Sequence, residues 1–226
     1  MRISKLYKKI KNSILYQIIT SLNKKNLRVN TLIIGGQRCA STSMINFLSK
    51  LENVVTPKNN EQLFFFSNRF NDSKNYKDYN IKFLYNFLKK RGQKDIYLEK
   101  TPEYCLENQY LERICNYNNK MKIIFIFREP YSRIRSAFQL YKKLNYDGNF
   151  NDFISKDEEK YNVLKFSKYK SIYDKIFANF DYTNVLLLNF NDINTQLTKK
   201  KISKFLDINL DNIEFPKSNS FSLNKI

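Results

Sequence analysis

The residues able to do chemistry in this chain gather in four short clusters: Gly35-Gly36-Gln37-Arg38-Cys39-Ala40-Ser41-Thr42, then Glu61, then Glu99-Lys100, then Arg128 with Ser136 eight residues later. The first opens with glycines, passes one arginine and ends in hydroxyls. At the start of a helix such a run can turn backbone amides, hydroxyls and a guanidinium toward one phosphate or sulfate. Arg128 suits a second anion, because a planar guanidinium grips phosphate oxygens in a bidentate fashion. Ser136 could add a hydroxyl to the same anion from a helix that starts near Tyr131. Histidine is absent from the whole sequence, so acid–base work falls to carboxylate, lysine, tyrosine or cysteine.

Each cluster follows an apolar run of strand length. Thr31-Leu32-Ile33-Ile34 leads into the glycines, and Met44, Ile45, Phe47, Leu48 and Leu51 behind them have helical spacing. Val54-Val55 leads to a loop from Lys58 to Phe66 that holds Glu61, Ile96-Tyr97-Leu98 leads to Glu99-Lys100, and the KIIFIF run from Lys122 to Phe127 leads to Arg128. Pro102 bars the third run from continuing inside a sheet. Val185 to Leu188 reads as a fifth strand. Helices are predicted over 79–90, 107–117, 131–146, 151–155, 166–179 and 192–206, with a loose tail over 209–226. Strands alternating with helices predict an α/β, P-loop-containing three-layer fold, with a central, mostly parallel sheet of about five strands flanked by helices. Ligands of such sheets bind beyond the carboxyl ends of the strands. All four clusters would share that rim.

The 226 residues suffice for one domain with a real core, since 42% of them are hydrophobic. The formal charge is +19, and residues 1–51 contain ten Lys or Arg and no acid, so about half the excess lies in the first quarter. Ile3, Leu6, Tyr7, Ile10, Ile14, Ile18 and Leu22 recur at helical spacing among Lys5, Lys8, Lys9 and Lys11. This predicts a basic amphipathic helix and divides residues 1–28 from a domain over 29–226. The uncharged part of that helix is shorter than the roughly 20 residues of a membrane span. It is expected either to pack on the domain or to make peripheral contact with an anionic membrane through residues 1–22. Cys39, Cys105 and Cys115 are odd in number and lack framework spacing, which fits a cytoplasmic setting, and no zinc pattern is present.

Counted from Gly35, a Walker A loop needs Gly and Lys where Ala40 and Ser41 stand. An ATP-dependent kinase is therefore disfavoured. The segment Ile33 to Met44 instead resembles the 5′-phosphosulfate loop of the PAPS-dependent sulfotransferases, a strand followed by G-x-Q-[KR]-x-G-T-T and a helix. Asn60 to Phe65 looks like the K-E-x-H-F-F segment of the glycan sulfotransferases, and Glu99 to Tyr104 matches their E-K-[ST]-P-x-Y. Arg128-Glu129-Pro130 with Arg133 and Ser136 resembles their 3′-phosphate motif, R-[DN]-P, then R, then S, with Glu129 at the Asp or Asn position. The resemblance continues through Lys168-Tyr169 and Phe205-Leu206, and extends from Leu32 to Phe215.

This resemblance implies PAPS as donor, PAP as product, no metal, and a hydroxyl or amine acceptor on a carbohydrate or glycolipid. Gly36, Gln37, Arg38, Cys39, Ala40, Ser41 and Thr42 would bind the phosphosulfate, the backbone amides of 36–42 forming the cradle. Arg128 and Ser136 would bind the 3′-phosphate. Arg38 would offset charge on the bridging and leaving oxygens, Lys100 would face the sulfuryl oxygens or the acceptor, and Glu61 would be the general base.

The chain departs from the family pattern at Ala40 for glycine, Ser41 for threonine, Leu63 for histidine and Asn60 for lysine. If residue 40 needs φ > 0, alanine there costs about 1 kcal/mol or somewhat more. Cys39 is expected to be a spectator thiol although it lies near a helix N-terminus. Phe64-Phe65-Phe66 is expected in the core, and Glu99 is expected to pair with a neighbouring cation and hold Lys100 in place. The charge of residues 1–51 leaves a second class open, a non-catalytic basic module for polyanions or anionic membrane. Nucleic acid is disfavoured, because no nucleic-acid-binding motif is recognisable.

Overall fold

The apolar runs become strands because their β-branched and aromatic side chains can be buried on both faces of a sheet. In the computed structural model, which describes residues 28–68, 79, 83, 86, 95–155, 158–211 and 213–215, they are β1 (Thr31–Gly35), β2 (Val54–Val55), β3 (Ile96–Lys100), β4 (Lys122–Phe127) and β5 (Val185–Asn189). They lie side by side in the order β2-β3-β1-β4-β5, and every pair is parallel. In register, Ile33 stands beside Lys100 of β3 and Gly35 beside Ile126 of β4. The chain leaves β1 toward the β2–β3 side and later crosses to β4 and β5. The carboxyl ends of β1 and β4 therefore form the switch point, where an open parallel sheet has its crevice.

The helices are α1 (Ser41–Leu48), α2 (Asn108–Tyr117), α3 (Pro130–Lys143), α4 (Phe150–Ser155), α5 (Glu158–Tyr161), α6 (Tyr169–Asn179) and α7 (Gln196–Leu206). Alternation along the strands divides the core into two layers. Leu32, Ile34, Ile123 and Phe125 face Leu111 and Ile114 of α2 and Ile172 and Ile176 of α6. Ile33, Leu98, Ile124 and Ile126 face Met44, Ile45 and Phe47 of α1 and Ile202 and Leu206 of α7. Burial stabilises by about 1.5–3 kcal/mol for each such side chain. A third, smaller cluster around Ala137, Phe153 and Val163 ties α3 to α4 and to the turn after α5. Phe65 and Phe66 are in the core, as expected, whereas Phe64 is only partly buried.

The boundaries shift in places. β3 runs on through Glu99 and Lys100 before Pro102 opens a 3-10 turn over Pro102–Cys105. The helix expected over 166–179 splits into a 3-10 turn at Lys165–Ser167 and α6, and the one over 192–206 starts later, at Gln196, behind the N-cap Thr195. The helix expected to reach Tyr146 ends at Lys143. The predicted helices over 3–22 and 79–90 lie outside the described residues, except for Tyr79, Phe83 and Asn86, as does the tail beyond 215. No helix among the described residues is long and apolar enough to cross a membrane.

Candidate functional site

The loop after β1 is shaped by close approach to β4. Gly35 has φ +135°, and a Cβ there would lie 2.4 Å from the Ile126 carbonyl oxygen, so only glycine can leave the strand along this path. A Cβ on Gly36 would lie 2.7 Å from the Cys39 sulfur. Arg38 and Ala40 are left-handed at φ 70° and 62°, a conformation costing L-residues about 1–2 kcal/mol each.

The expected cradle of amides over 36–42 needs correction. The Gly36 amide donates to the Ile126 carbonyl at 3.3 Å and the Cys39 amide to the Gly36 carbonyl at 3.2 Å. Both serve to hold the loop against β4 and to close its own turn. The amides that point onward are those of the first turn of α1, which have no intrahelical acceptor. Ala40, the N-cap, supplies no side-chain acceptor for them. An anion is the group this helix start fits.

Two guanidiniums converge beside it. Arg38 donates from Nε to the Ser136 hydroxyl at 3.2 Å, and Arg128 from Nη1 to the Arg38 carbonyl at 3.3 Å. Arg128 also lies over the Phe190 ring, 4.2 Å from its centroid, and its backbone is held by Tyr169, whose hydroxyl donates to the Arg128 carbonyl at 2.6 Å. Burial and the neighbouring charge of Arg128 lower the pKa of Arg38. That repulsion eases if an anion sits between them. Gln37 donates to the Tyr141 hydroxyl at 3.4 Å, fastening the loop to α3. Glu129 caps α3 by accepting from the Tyr131 and Ser132 amides at 2.8 and 2.6 Å, and the Ser132 hydroxyl together with these amides holds its carboxyl below the usual range.

Arg133 appeared in the sequence only as a motif position. It is fully buried and donates to the Ser167 hydroxyl at 2.6 Å, to the Gln37 carbonyl at 3.4 Å and to the Val163 carbonyl. It thus bolts the underside of the loop to α3 and to the segment before α6. Its spacing from Arg128 was the available signal; the distant acceptors carried none.

At the end of β3, Lys100 is 5% exposed and donates from Nζ to the Thr42 hydroxyl at 3.1 Å. Burial lowers its pKa. Ser41 is buried at the first position of α1, and Thr42 is exposed beside it. Among the described residues Glu99 is paired with no cation, contrary to expectation: its oxygens accept from the Tyr79, Thr101 and Tyr104 hydroxyls and the Leu63 amide. Those hydroxyl bonds partly offset the upward push that burial gives its pKa. Glu61 is exposed and hydrogen-bonds by its side chain to none of the other candidates among the described residues. Its loop is placed by Asn60, which donates to the Asn46 side chain of α1 at 2.7 Å, and by Leu63 at Glu99. Cys39 is buried, and burial pushes its thiol up to about 11, which suits a spectator rather than a nucleophile.

The structure therefore brings Gly36 to Thr42, Lys100, Arg128 and Ser136 to one rim, with Glu61 on a neighbouring loop. Amides at a helix start, two arginines, a lysine and hydroxyls make a donor set for phosphate or sulfate oxygens. Among the described residues no group of His, Cys, Asp or Glu could hold a metal ion.

The sequence matches no protein-family model and no curated protein sequence. Its fold has solved counterparts. The chain is similar to a sulfotransferase from Alicyclobacillus acidocaldarius, with TM-score 0.70 and 17% identity over 83% of this chain and 84% of that one. It is also similar to the sulfotransferase domain of the curacin biosynthetic pathway, with TM-score 0.52 and 14% identity over 82% and 76% of the two chains. Mouse sulfotransferase SULT7A1, solved in complex with PAP, matches with TM-score 0.55 and 15% identity over 81% of this chain and 60% of that one.

Proposed function

We propose that this chain, which carries the sulfotransferase fold, moves a sulfuryl group from PAPS to a hydroxyl or amine of a carbohydrate or glycolipid acceptor. The observation that carries this reading is the pair of anion-ready positions flanking the β1–β4 switch point. One is the start of α1 with Arg38 and Lys100; the other is Arg128 with Ser136, joined to the first by the 3.2 Å bond between Arg38 and Ser136. PAPS has two anionic ends, a phosphosulfate and a ribose 3′-phosphate, and supplies an activated sulfuryl group. The first-turn amides of α1, Arg38 and Thr42 would hold the former, and Arg128 and Ser136 the latter.

Positioning and charge stabilisation would then carry most of the rate, by analogy with phosphoryl transfer. Glu61 takes the proton of the acceptor O–H or N–H as that atom bonds to sulfur. The bridging S–O bond breaks, and its electron pair goes to the phosphate oxygen of PAP. Arg38 offsets the charge growing on that oxygen, and Lys100 the charge on the sulfuryl oxygens. A positioned base contributes about 10²–10⁴ to such a rate.

Titration with PAP tests the donor assignment. Binding that weakens at least about tenfold in Arg128→Ala supports it; no binding, or unchanged binding in the variant, overturns it. Glu61→Gln is expected to lose transfer while keeping PAP affinity, and retained turnover would remove Glu61 as base. We place the protein in the cytoplasm, at the inner membrane face when residues 1–22 meet anionic lipid. Co-sedimentation with anionic vesicles that is lost on deleting those residues is the check. The concentration of charge in residues 1–51 favours one second reading, a basic module for polyanions. Salt-sensitive retention on polyanions that PAP does not compete with, together with no sulfated product, would support it.

A further inference from the structure

Glu99 is the one fully buried carboxylate among the described residues, and no cation is among its hydrogen-bond partners. Oε1 accepts from the Thr101 hydroxyl at 2.6 Å, the Tyr104 hydroxyl at 3.0 Å and the Leu63 amide at 3.3 Å, while Oε2 accepts from the Tyr79 hydroxyl. A solvent-excluded carboxylate with both oxygens engaged is poorly placed to take a proton from an acceptor. It is also a costly way to fill a core, because an ion must be desolvated. The identity of its partners points to a different task.

Leu63 lies two residues after Glu61. The next amide, that of Phe64, donates to the Thr101 hydroxyl at 3.5 Å, and that hydroxyl itself donates to Glu99. Two consecutive amides of the Glu61 loop therefore hang on the end of β3, immediately beside Lys100. On the other side of Glu61, Asn60 is tied to Asn46 of α1, one turn beyond the Thr42 that receives Lys100. Glu61 thus occupies the middle of a short segment strapped at both ends to the two elements that hold Lys100. Of the two straps, Asn60–Asn46 is exposed, and the one at Glu99 is part-buried.

We propose that Glu99 is a positioning residue: it fixes the Glu61 loop against β3 and so sets the relation between Glu61 and Lys100 on the acceptor side of the site. This rests on the assignment of Glu61 as base. Glu99→Gln keeps the shape but exchanges an acceptor oxygen for a donor group among donors, which loosens the strap without opening a cavity.

In the full chain, Glu99→Gln should lower kcat about 100-fold, the scale of an ångström-sized misplacement, with KM for PAPS and affinity for PAP within about threefold of wild type. Amide hydrogen exchange at Leu63 and Phe64 should quicken about tenfold or more while β1 and β4 stay protected. Thr101→Val, which removes the Phe64 contact and one Glu99 bond, should show a smaller loss of the same pattern and serves if Glu99→Gln folds poorly. Turnover within about threefold of wild type overturns the proposal, as does a kcat loss without faster exchange at Leu63 and Phe64. So does a kcat loss that tracks a matching loss of PAP affinity and of protection throughout the sheet, since that marks a merely structural residue. If the wild type binds PAP yet transfers to no acceptor, the assignment of Glu61 fails and exchange alone decides the strap: unchanged rates at Leu63 and Phe64 in Glu99→Gln overturn it.

Discussion

Replacing Lys100 by methionine should make the protein more stable while stopping transfer. Lys100 is 5% exposed, and the Thr42 hydroxyl at 3.1 Å is its hydrogen-bond partner. Exchanging buried charge for an apolar side chain of similar volume is typically neutral or stabilising by about 1–4 kcal/mol. Thr42 is exposed and can bond to water once Lys100 is gone, so little is lost on its side. Taking the lower end gives a gain of about 1 kcal/mol, or about 2–4 °C in Tm for a chain of this size. The pH dependence follows from the lowered pKa. The folded protein gives up the Lys100 proton more readily than the unfolded chain, so wild type gains stability as pH rises toward the ordinary lysine value of 10.5, and its deficit against the variant closes there. Activity moves the other way: losing one donor at a developing charge costs about 10²–10³ in kcat. Calorimetry at neutral and alkaline pH, PAP titration and a transfer assay with labelled PAPS measure all three quantities. A variant that melts more than about 3 °C below wild type would show Lys100 to be a structural cation. One that keeps more than about a tenth of turnover would refute its role at the reacting group.

Two further variants test the loop. Arg133→Met leaves the Gln37 and Val163 carbonyls and the Ser167 hydroxyl without their donor; a loss of about 3 kcal/mol is expected, lowering Tm by about 6–12 °C, and a drop under about 3 °C in a thermal melt would show that Arg133 is not the bolt described. Ala40→Gly relieves about 1–2 kcal/mol of left-handed strain and returns about 0.4–1 kcal/mol of chain entropy to the unfolded state, so a net gain of about 0.8 kcal/mol and a rise in Tm of about 2–3 °C are expected; a fall would mean that residue 40 does not hold the left-handed geometry.

Much of this was legible in the sequence because the strands are short apolar runs bounded by polar rims. KIIFIF could be little else than a buried strand, and the Gly35-Gly36 break after Ile34 located the loop. The sequence poses a positive φ at residue 40 as a condition under which alanine is strained, and its φ of 62° fulfils that condition. Helix α5 was missed because four residues, Glu158–Tyr161, are too few to show a period. The division of labour among the loop amides was hidden for another reason. Whether Gly36 faces an anion or the Ile126 carbonyl depends on the register of β1 against β4, which composition does not record. The partners of Glu99 were equally hidden, since Leu63 and Tyr79 lie 36 and 20 residues away. Charge beside charge in the sequence suggested an ion pair with Glu99; burial among hydroxyls was the alternative that the three-dimensional packing selected.

Several unfavourable terms among the described residues meet on one rim. Arg38 and Ala40 are left-handed, Arg38 and Arg128 repel one another, and Lys100 is buried with a neutral hydroxyl as partner. The sheet below them is regular, and no buried side-chain polar atom of the described residues lacks a hydrogen-bond partner. If this rim is the anion site proposed above, local rules fail where a charged ligand would complete them. An anion at the start of α1 would offset the repulsion and satisfy the uncapped amides, and its second charge would engage Arg128. The left-handed turns at Arg38 and Ala40 are what aim the start of α1 and the Arg38 carbonyl in those directions. A loop relaxed by moving Arg38 and Ala40 to ordinary dihedrals would be more stable on its own and would lose that aim.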